Sequence, residues 1–135
     1  MSSFLPRSVI LYVGDVDAST EFYRLILESD PVELFEDFTV FALSDTVTLG
    51  LQARDQIEPA AEEYVGGGEL SLSDVDRATV DRLFDEWTRL GIAMLLEPTE
   101  LEFGYTFVAT DPDGHRLRVC ATDATGLERT ATGLT

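Results

Sequence analysis

The feature that most constrains the fold is an internal repeat, in which a strand-like segment, an Asp-Val-Asp triplet and a helical pattern each occur twice. In the first half, the apolar run Ser8–Val13 leads into the triplet Asp15–Asp17. In the second half, Glu69–Leu72 leads into the triplet Asp74–Asp76, which begins 59 positions later, at 74 rather than 15. Self-similarity of this kind indicates two copies of one supersecondary unit.

Each triplet is followed by an amphipathic helical pattern. The second pattern has apolar residues at spacings of three and four, which is the period of a helix with one buried face. Asp17 and Asp76 are predicted N-caps because a carboxylate accepts hydrogen bonds from free N–H groups at a helix start. Gly91 is the predicted C-terminal stop. The apolar positions are Phe22, Leu25, Ile26 and Leu27 in the first pattern, and Val80, Leu83, Phe84, Trp87 and Leu90 in the second.

Strand-like segments follow each helical pattern, so each half is predicted to run strand–helix–strand–strand–strand, a βαβββ unit of the α+β class. Asp111–Gly114 has Pro and Gly at the positions that suit a type I turn. Ser44–Thr46 is a predicted hairpin loop. The segments identified are Phe38–Leu43 and Val47–Leu51 in the first half, and Ala93–Leu96, Tyr105–Thr110 and Arg116–Ala121 in the second.

The predicted organisation is one domain over residues 1–135, built from two such units. The first unit covers 7–52 and the second covers 67–121. Residues 53–66 form a polar, acidic linker, and 122–135 form a tail rich in Thr, Ala and Gly. A chain of this length suits a single domain.

The charge balance excludes some partners. The chain has 26 Asp and Glu against 9 Lys and Arg, a formal net charge of −17. This charge argues against nucleic acids and anionic membranes, which proteins hold through Lys and Arg. It permits a cationic ligand or a basic protein partner, and high solubility explains it most simply.

The number of cysteines and the N-terminal segment indicate the cellular compartment. Cys120 is the only cysteine, so no intrachain disulfide can form, which fits a reducing compartment. Met1–Arg7 lacks the basic and apolar regions of a signal peptide. No apolar run reaches the length of a membrane span. We therefore expect a cytoplasmic protein.

Several motifs in order resemble one known family. Phe22-Tyr23 follows the first triplet, and Phe103–Phe107 leads into Asp111–Cys120. This combination, covering residues 7–121, resembles the vicinal oxygen chelate superfamily of glyoxalases, bleomycin resistance proteins and extradiol dioxygenases. It is most similar to the phenazine antibiotic resistance branch, which binds drugs. The resemblance implies curved mixed sheets forming cup-shaped half-barrels, two of which enclose a ligand, and a homodimer. Whether the halves pair within one chain or between chains stays open.

The resemblance also implies where a metal would be held, and the residues at those positions are unsuitable. The corresponding positions are Ser8, Gly67 and Arg118. Glycine has no side-chain donor, and arginine is a permanent cation. We therefore predict a protein without a metal or another cofactor. His115, the single histidine, is predicted to be a turn residue, and Cys120 a buried strand thiol.

A cup without a metal can still bind an organic molecule. Arg118 lies on the same strand face as Arg116 and Cys120. Two hypotheses stay open for it: a contact to a ligand carboxylate or flat ring, or an ion pair with one of the chain's acids. Gln52 stands where the phenazine-resistance branch is expected to have Trp. The predicted ligand-binding residues are Phe41, Gln52, Phe103, Tyr105, Phe107 and Arg118, with each aromatic alternatively a core residue.

Three functions are compatible with these residues. The favoured hypothesis is a metal-free protein that sequesters a small aromatic antibiotic or metabolite, with no catalytic residue and without nucleic-acid or membrane partners. The alternative is a metal-dependent glyoxalase-type or dioxygenase-type enzyme with atypical ligands. The third is an interaction protein whose acidic surface binds a basic partner.

Overall fold

The chain forms two compact units that divide between Val65 and Gly66. The computed structural model describes residues 3–62, 65–123 and 125. Unit 1 contains β1 (Ser8–Val13), α1 (Val16–Leu27), β2 (Glu33–Leu34), β3 (Phe38–Ala42) and β4 (Thr48–Ala53), and unit 2 contains β5 (Glu69–Leu72), α2 (Arg77–Arg89), β6 (Met94–Leu101), β7 (Gly104–Thr110) and β8 (Arg116–Thr122).

Both units have the same sheet topology. In unit 1 the strand order is β1-β4-β3-β2, with β1 parallel to β4 and the other pairs antiparallel. In unit 2 the order is β5-β8-β7-β6, with β5 parallel to β8 and the other pairs antiparallel. The predicted α+β class with two βαβββ units and mixed sheets is confirmed. Each sheet is open rather than closed into a barrel.

The helix starts differ from the prediction in one unit. Asp76 caps α2 as predicted, because its side chain accepts a hydrogen bond from the backbone N of Thr79. Asp17 was predicted to cap α1, and this was wrong. Asp15 is the cap, accepting from the backbone N of Ala18, so that Asp17 already lies in the first helical turn. The carboxylate must precede the first turn by one position to reach the free N–H groups.

The end of α2 agrees with the prediction at Gly91. This residue has a φ of 79°, a left-handed conformation that glycine adopts without strain. The backbone N of Gly91 donates to the carbonyl of Thr88, and that of Ile92 donates to the carbonyl of Trp87. These two bonds form a Schellman motif, which satisfies carbonyl groups at the helix end.

One face of each sheet is covered by the helix of its own unit. In unit 1, Thr20 of α1 donates a hydrogen bond of 2.9 Å to Thr39 of β3, and Tyr23 and Phe41 are fully buried. In unit 2, Phe107 of β7 is fully buried and meets Trp87 of α2 edge-on, with ring centroids 5.4 Å apart. Burial of each such side chain stabilises the fold by about 1.5–3 kcal/mol.

The connecting segments follow turn chemistry where they are described. The side chain of Ser44 accepts from the backbone N of Val47, which closes the β3–β4 hairpin. The predicted linker starts with the last residue of β4 and a 3₁₀ turn at Arg54–Gln56, and its residues 63 and 64 lie outside the described part. Within the predicted tail, Thr122 ends β8, and residues 124 and 126–135 lie outside it. In the described ranges, neither helix has the length and apolarity needed to cross a membrane.

Candidate ligand-binding site

Each sheet has a second face, opposite its helix, which we call the distal face. In unit 2, Phe107 and Tyr105 point toward α2, so their neighbours in β7 point to the distal face. Cross-strand partners share a face, and Arg118 is paired with Val108 of β7 and with Ser71 of β5. The distal face of unit 2 therefore includes Glu69, Ser71, Thr106, Val108, Arg118 and Cys120.

Arg118 is held by three groups on and beside this face. Its Nε donates a hydrogen bond of 2.6 Å to Oε2 of Glu69, and one terminal nitrogen donates to Oγ1 of Thr106 at 3.3 Å. The guanidinium carbon lies 5.3 Å from the centroid of the Phe103 ring. Side-chain exposure is 16% for Arg118 and 31% for Glu69, so the pair is partly shielded and still reachable. The structure shows the ion pair with an acid that was one of the two hypotheses for Arg118.

Phe103 owes its position to the glycine that follows it. Gly104 has a φ of 145°, and a Cβ there would lie 2.3 Å from the carbonyl oxygen of Ala121. The backbone N of Asp123 donates a hydrogen bond of 2.7 Å to the carbonyl of Phe103. These close backbone contacts fix the β6–β7 turn against the end of β8 and place the Phe103 ring beside Arg118.

Gln52 lies on the distal face of unit 1, opposite Tyr12 and Phe38. Its side-chain amide donates to the carbonyls of Asp37 and Ala53, at 3.3 and 3.4 Å. On this face the ring of Phe38 lies over Gly50, where a Cβ would come within 2.9 Å of it. In the three longer strands the distal face carries only uncharged residues: Ser8, Ile10, Tyr12, Phe38, Val40, Ala42, Thr48, Gly50 and Gln52.

The other three predicted ligand-binding aromatics lie on helix-facing sides. Phe41 and Phe107 are fully buried in their own units. Tyr105 donates from its hydroxyl to Oδ1 of Asp81 at 2.6 Å, and the guanidinium of Arg77 lies 4.0 Å from its ring centroid. The hydrogen bond to Asp81, together with burial, raises the pKa of Tyr105 above its usual 10.0.

The structure thus brings together two of the six predicted residues, Arg118 and Phe103, and adds Glu69, which was missed. The signal for Glu69 lay in the order of the strands. In a βαβββ unit the first strand pairs in parallel with the last, which sets Glu69 and Ser71 alongside Arg116 and Arg118. The sequence pattern alone did not give that register.

The fold and the sequence match one family. Residues 6–119 match the model of the Glyoxalase/Bleomycin resistance protein/Dioxygenase superfamily. The chain belongs to this superfamily. The match spans both βαβββ units of the chain.

Three proteins with a similar sequence or fold can be compared with this chain. The phenazine antibiotic resistance protein EhpR of Enterobacter agglomerans is 35% identical over 121 residues, covering 87% of this chain and 92% of EhpR. Protein ATC0852 of Agrobacterium tumefaciens, solved by NMR, is 47% identical with a TM-score of 0.80, covering 89% of this chain and 98% of that one. A lactoylglutathione lyase of Agrobacterium tumefaciens shares the fold at 22% identity and a TM-score of 0.71, covering 88% of this chain and 93% of the lyase.

The residues at the expected metal positions of this superfamily do not fit a divalent metal. The Ser8 hydroxyl shares a hydrogen bond of 2.9 Å with the Thr48 hydroxyl, and Gly67 has no side chain. Arg118 places a cation where a carboxylate would be needed, and its partner Glu69 is engaged by it. Metal centres need several convergent oxygen, nitrogen or sulfur donors, and the side chains at these three positions do not supply them.

One other group of side chains has metal-ligating atoms close together. One such atom from each of Asp111, Asp113 and His115 lies within 4.8 Å of the others. Oδ1 of Asp111 accepts from the backbone N of Asp113 and of His115, and Oδ2 lies 2.8 Å from Nδ1 of His115. These contacts stabilise the β7–β8 turn, in agreement with the prediction that His115 is a turn residue. Cys120 is 3% exposed, as predicted for a buried strand thiol.

Proposed function

We propose that this protein binds a small planar aromatic antibiotic or metabolite and sequesters it, without a metal and without turnover. The observation that carries the proposal is the 35% identity with a phenazine antibiotic resistance protein over nearly the full length of both chains. A second support is the donor set described above, which suits an organic ligand better than a metal.

The distal face of unit 2 offers the chemistry for such a ligand. Arg118 has a flat, delocalised cation that can stack on an aromatic ring and donate hydrogen bonds in its plane. The Phe103 ring beside it adds an apolar surface for offset or edge-on stacking. Binding sites for small molecules commonly combine apolar walls with a few polar groups of this kind.

Capture without turnover makes a distinct prediction for resistance. Each protein molecule neutralises a fixed number of drug molecules, so protection scales with the amount of protein and is exhausted by excess drug. An enzyme would instead clear the drug with time. In a growth assay, the drug concentration tolerated should therefore rise in proportion to expression level.

The direct test is titration of the purified protein with phenazine-1-carboxamide and phenazine-1-carboxylate. We expect saturable heat in calorimetry and quenching of the Trp87 fluorescence. Mass spectrometry should recover the compound unchanged after incubation, and a chelator should leave affinity unaltered. Absence of binding by both compounds, or loss of binding on chelation, would overturn the proposal.

A matched pair of variants localises the site. Arg118→Met removes the cation beside Phe103 and should weaken binding about tenfold or more, which corresponds to ~1.4 kcal/mol. Arg77→Met is the control, because Arg77 is also paired with a glutamate, Glu100 at 2.5 Å, and also lies over an aromatic ring. It lies on the helix-facing side, so affinity should stay at the wild-type value. If Arg77→Met weakened binding and Arg118→Met did not, the ligand would bind beside Tyr105 instead.

The proposal extends to assembly and location. We propose a homodimer, as the family resemblance implies, acting in the cytoplasm with a small molecule as its partner. Light scattering of the purified protein, with and without ligand, measures the mass of the assembly. A monomeric mass at micromolar concentration would contradict the dimer.

A further inference from the structure

The charge state of the Arg118 site bears on the class of ligand it selects. Arg118 is a permanent cation, and the carboxylate of Glu69 lies 2.6 Å from its Nε. The two charges compensate each other. A ligand that approaches this face therefore meets a polarised but neutral pair rather than an isolated cation.

The guanidinium keeps N–H donors that neither Glu69 nor Thr106 uses. Because Glu69 compensates its charge, these donors act as those of a neutral group. A guanidinium has five N–H donors, of which Nε is used by Glu69 and one on a terminal nitrogen by Thr106. The remaining donors suit a carbonyl, an amide oxygen or a ring nitrogen. A ligand carboxylate would share Arg118 with Glu69 and bring two anions close together, which is unfavourable in a partly shielded site.

The surroundings add to this selection. The chain carries a formal net charge of −17, so an anionic ligand is repelled before it reaches the site. The Phe103 ring, whose centroid lies 5.3 Å from the guanidinium carbon, carries no charge. Arg116 lies on the same face, opposite Glu69, but it is exposed to solvent, which screens its charge. The long-range field and the compensated pair at Arg118 therefore both disfavour anions.

Building on the function proposed above, we infer that Glu69 sets the specificity of this site, and that the ligand class is a neutral planar aromatic with a hydrogen-bond acceptor rather than an aromatic carboxylate. Removal of the Glu69 charge uncovers the Arg118 cation. The preference then shifts toward the anionic ligand.

Phenazine-1-carboxamide and phenazine-1-carboxylate test this inference because they share one ring system and differ in charge. The wild-type protein should bind the carboxamide about tenfold or more tightly than the carboxylate near pH 7. In Glu69→Gln the ratio should fall to about one or invert, mainly through tighter binding of the carboxylate. Glu69→Ser, which also removes the charge, is the second variant should the first fail to fold.

Glu100→Gln is the matched control. Glu100 also pairs with an arginine, Arg77, in the same unit, and its loss changes the net charge by the same amount. It should leave the ratio of the two affinities at the wild-type value. An equal shift in Glu100→Gln would mean that net charge, not Glu69, sets the preference, and would overturn the inference.

The failure of this inference can be told apart from failure of the proposed function. Tight binding of both compounds with no preference for the carboxamide, or with unaltered preference in Glu69→Gln, overturns the specificity assignment and leaves the binding function standing. Failure of both compounds to bind overturns the two together.

Discussion

The two units share one topology but use their distal faces differently. In both, the helix-facing side is an apolar core centred on a fully buried aromatic, Phe41 in unit 1 and Phe107 in unit 2. The distal face of unit 1 is uncharged along its three longer strands, whereas that of unit 2 carries the pair of Glu69 and Arg118. The two units therefore share the buried core between helix and sheet, whereas their distal faces, which do not pack against a helix, differ.

The two Asp-Val-Asp triplets also differ between the units, because different aspartates of the triplet cap the helices. In unit 1 the first aspartate, Asp15, caps the helix. In unit 2 the third, Asp76, does so, while Asp74 has a φ of 61° and its backbone N bonds to the hydroxyl of Thr122. Identical triplets therefore serve helices that begin two positions apart relative to the repeat.

The largest expected effect tests whether the two cores are equivalent. Phe107→Ala and Phe41→Ala each remove a fully buried ring and should each lower the free energy of unfolding by roughly 3–5 kcal/mol, because a cavity replaces packed atoms. Urea unfolding followed by circular dichroism measures both. If Phe107→Ala left stability unchanged and abolished ligand binding, the ring would be a ligand contact rather than core.

The two structurally constrained glycines should differ in cost. Gly104→Ala should destabilise the fold by about 2 kcal/mol or more, since φ is 145° and the new Cβ would meet a backbone oxygen that cannot move aside. Gly50→Ala meets the ring of Phe38, which can shift, so about 1 kcal/mol is expected. Thermal unfolding of the two variants ranks them. Equal costs would show that the Phe38 ring is as fixed as the backbone.

Substitution within the triplets should give opposite patterns in the two units. Asp15→Ala should cost about 1 kcal/mol, and Asp17→Ala less, because only Asp15 caps α1. In unit 2, Asp76→Ala should lower the melting temperature, and Asp74→Gly should be tolerated because glycine accepts positive φ. If Asp17→Ala destabilised the fold as much as Asp15→Ala, the assignment of Asp15 rather than Asp17 as the N-cap of α1 would be contradicted.

The smallest expected effect depends on pH. Hydrogen bonds from the side chain and backbone of Thr79 lower the pKa of Asp76 from its usual 3.8. Since the folded-state pKa lies below the unfolded one, the stabilisation is present above the unfolded value and is lost as the pH falls through the folded one. Asp76→Asn keeps a cap that does not titrate. The stability of the wild type relative to this variant should therefore fall below about pH 4. A constant difference between pH 7 and pH 2 would contradict the assignment.

More of the site was available in the sequence than the strand pattern alone revealed. The turn at Asp111–Gly114 joins β7 and β8 as a tight hairpin, which pairs Thr110 with Arg116 and hence Val108 with Arg118. Because alternate residues of a strand point to the same face, this register puts Phe107 on the face away from Arg118. A choice of aromatics by strand membership alone could not separate the two faces, which is why Tyr105 and Phe107 were grouped with Phe103.

The sequence by itself determined the repeat, the order of the elements other than the two-residue strand β2, and the residues that alternate within each longer strand, because periodicities of 2 and 3.6 are local properties. It also determined the chemistry missing at the expected metal positions, since glycine has no side chain and the guanidinium of Arg118 is a permanent cation. The tertiary structure decided which strand face the helix covers and which residue meets Arg118. Glu69 lies 49 positions away and reaches Arg118 only through the parallel pairing of β5 with β8, a long-range register that no local pattern contains.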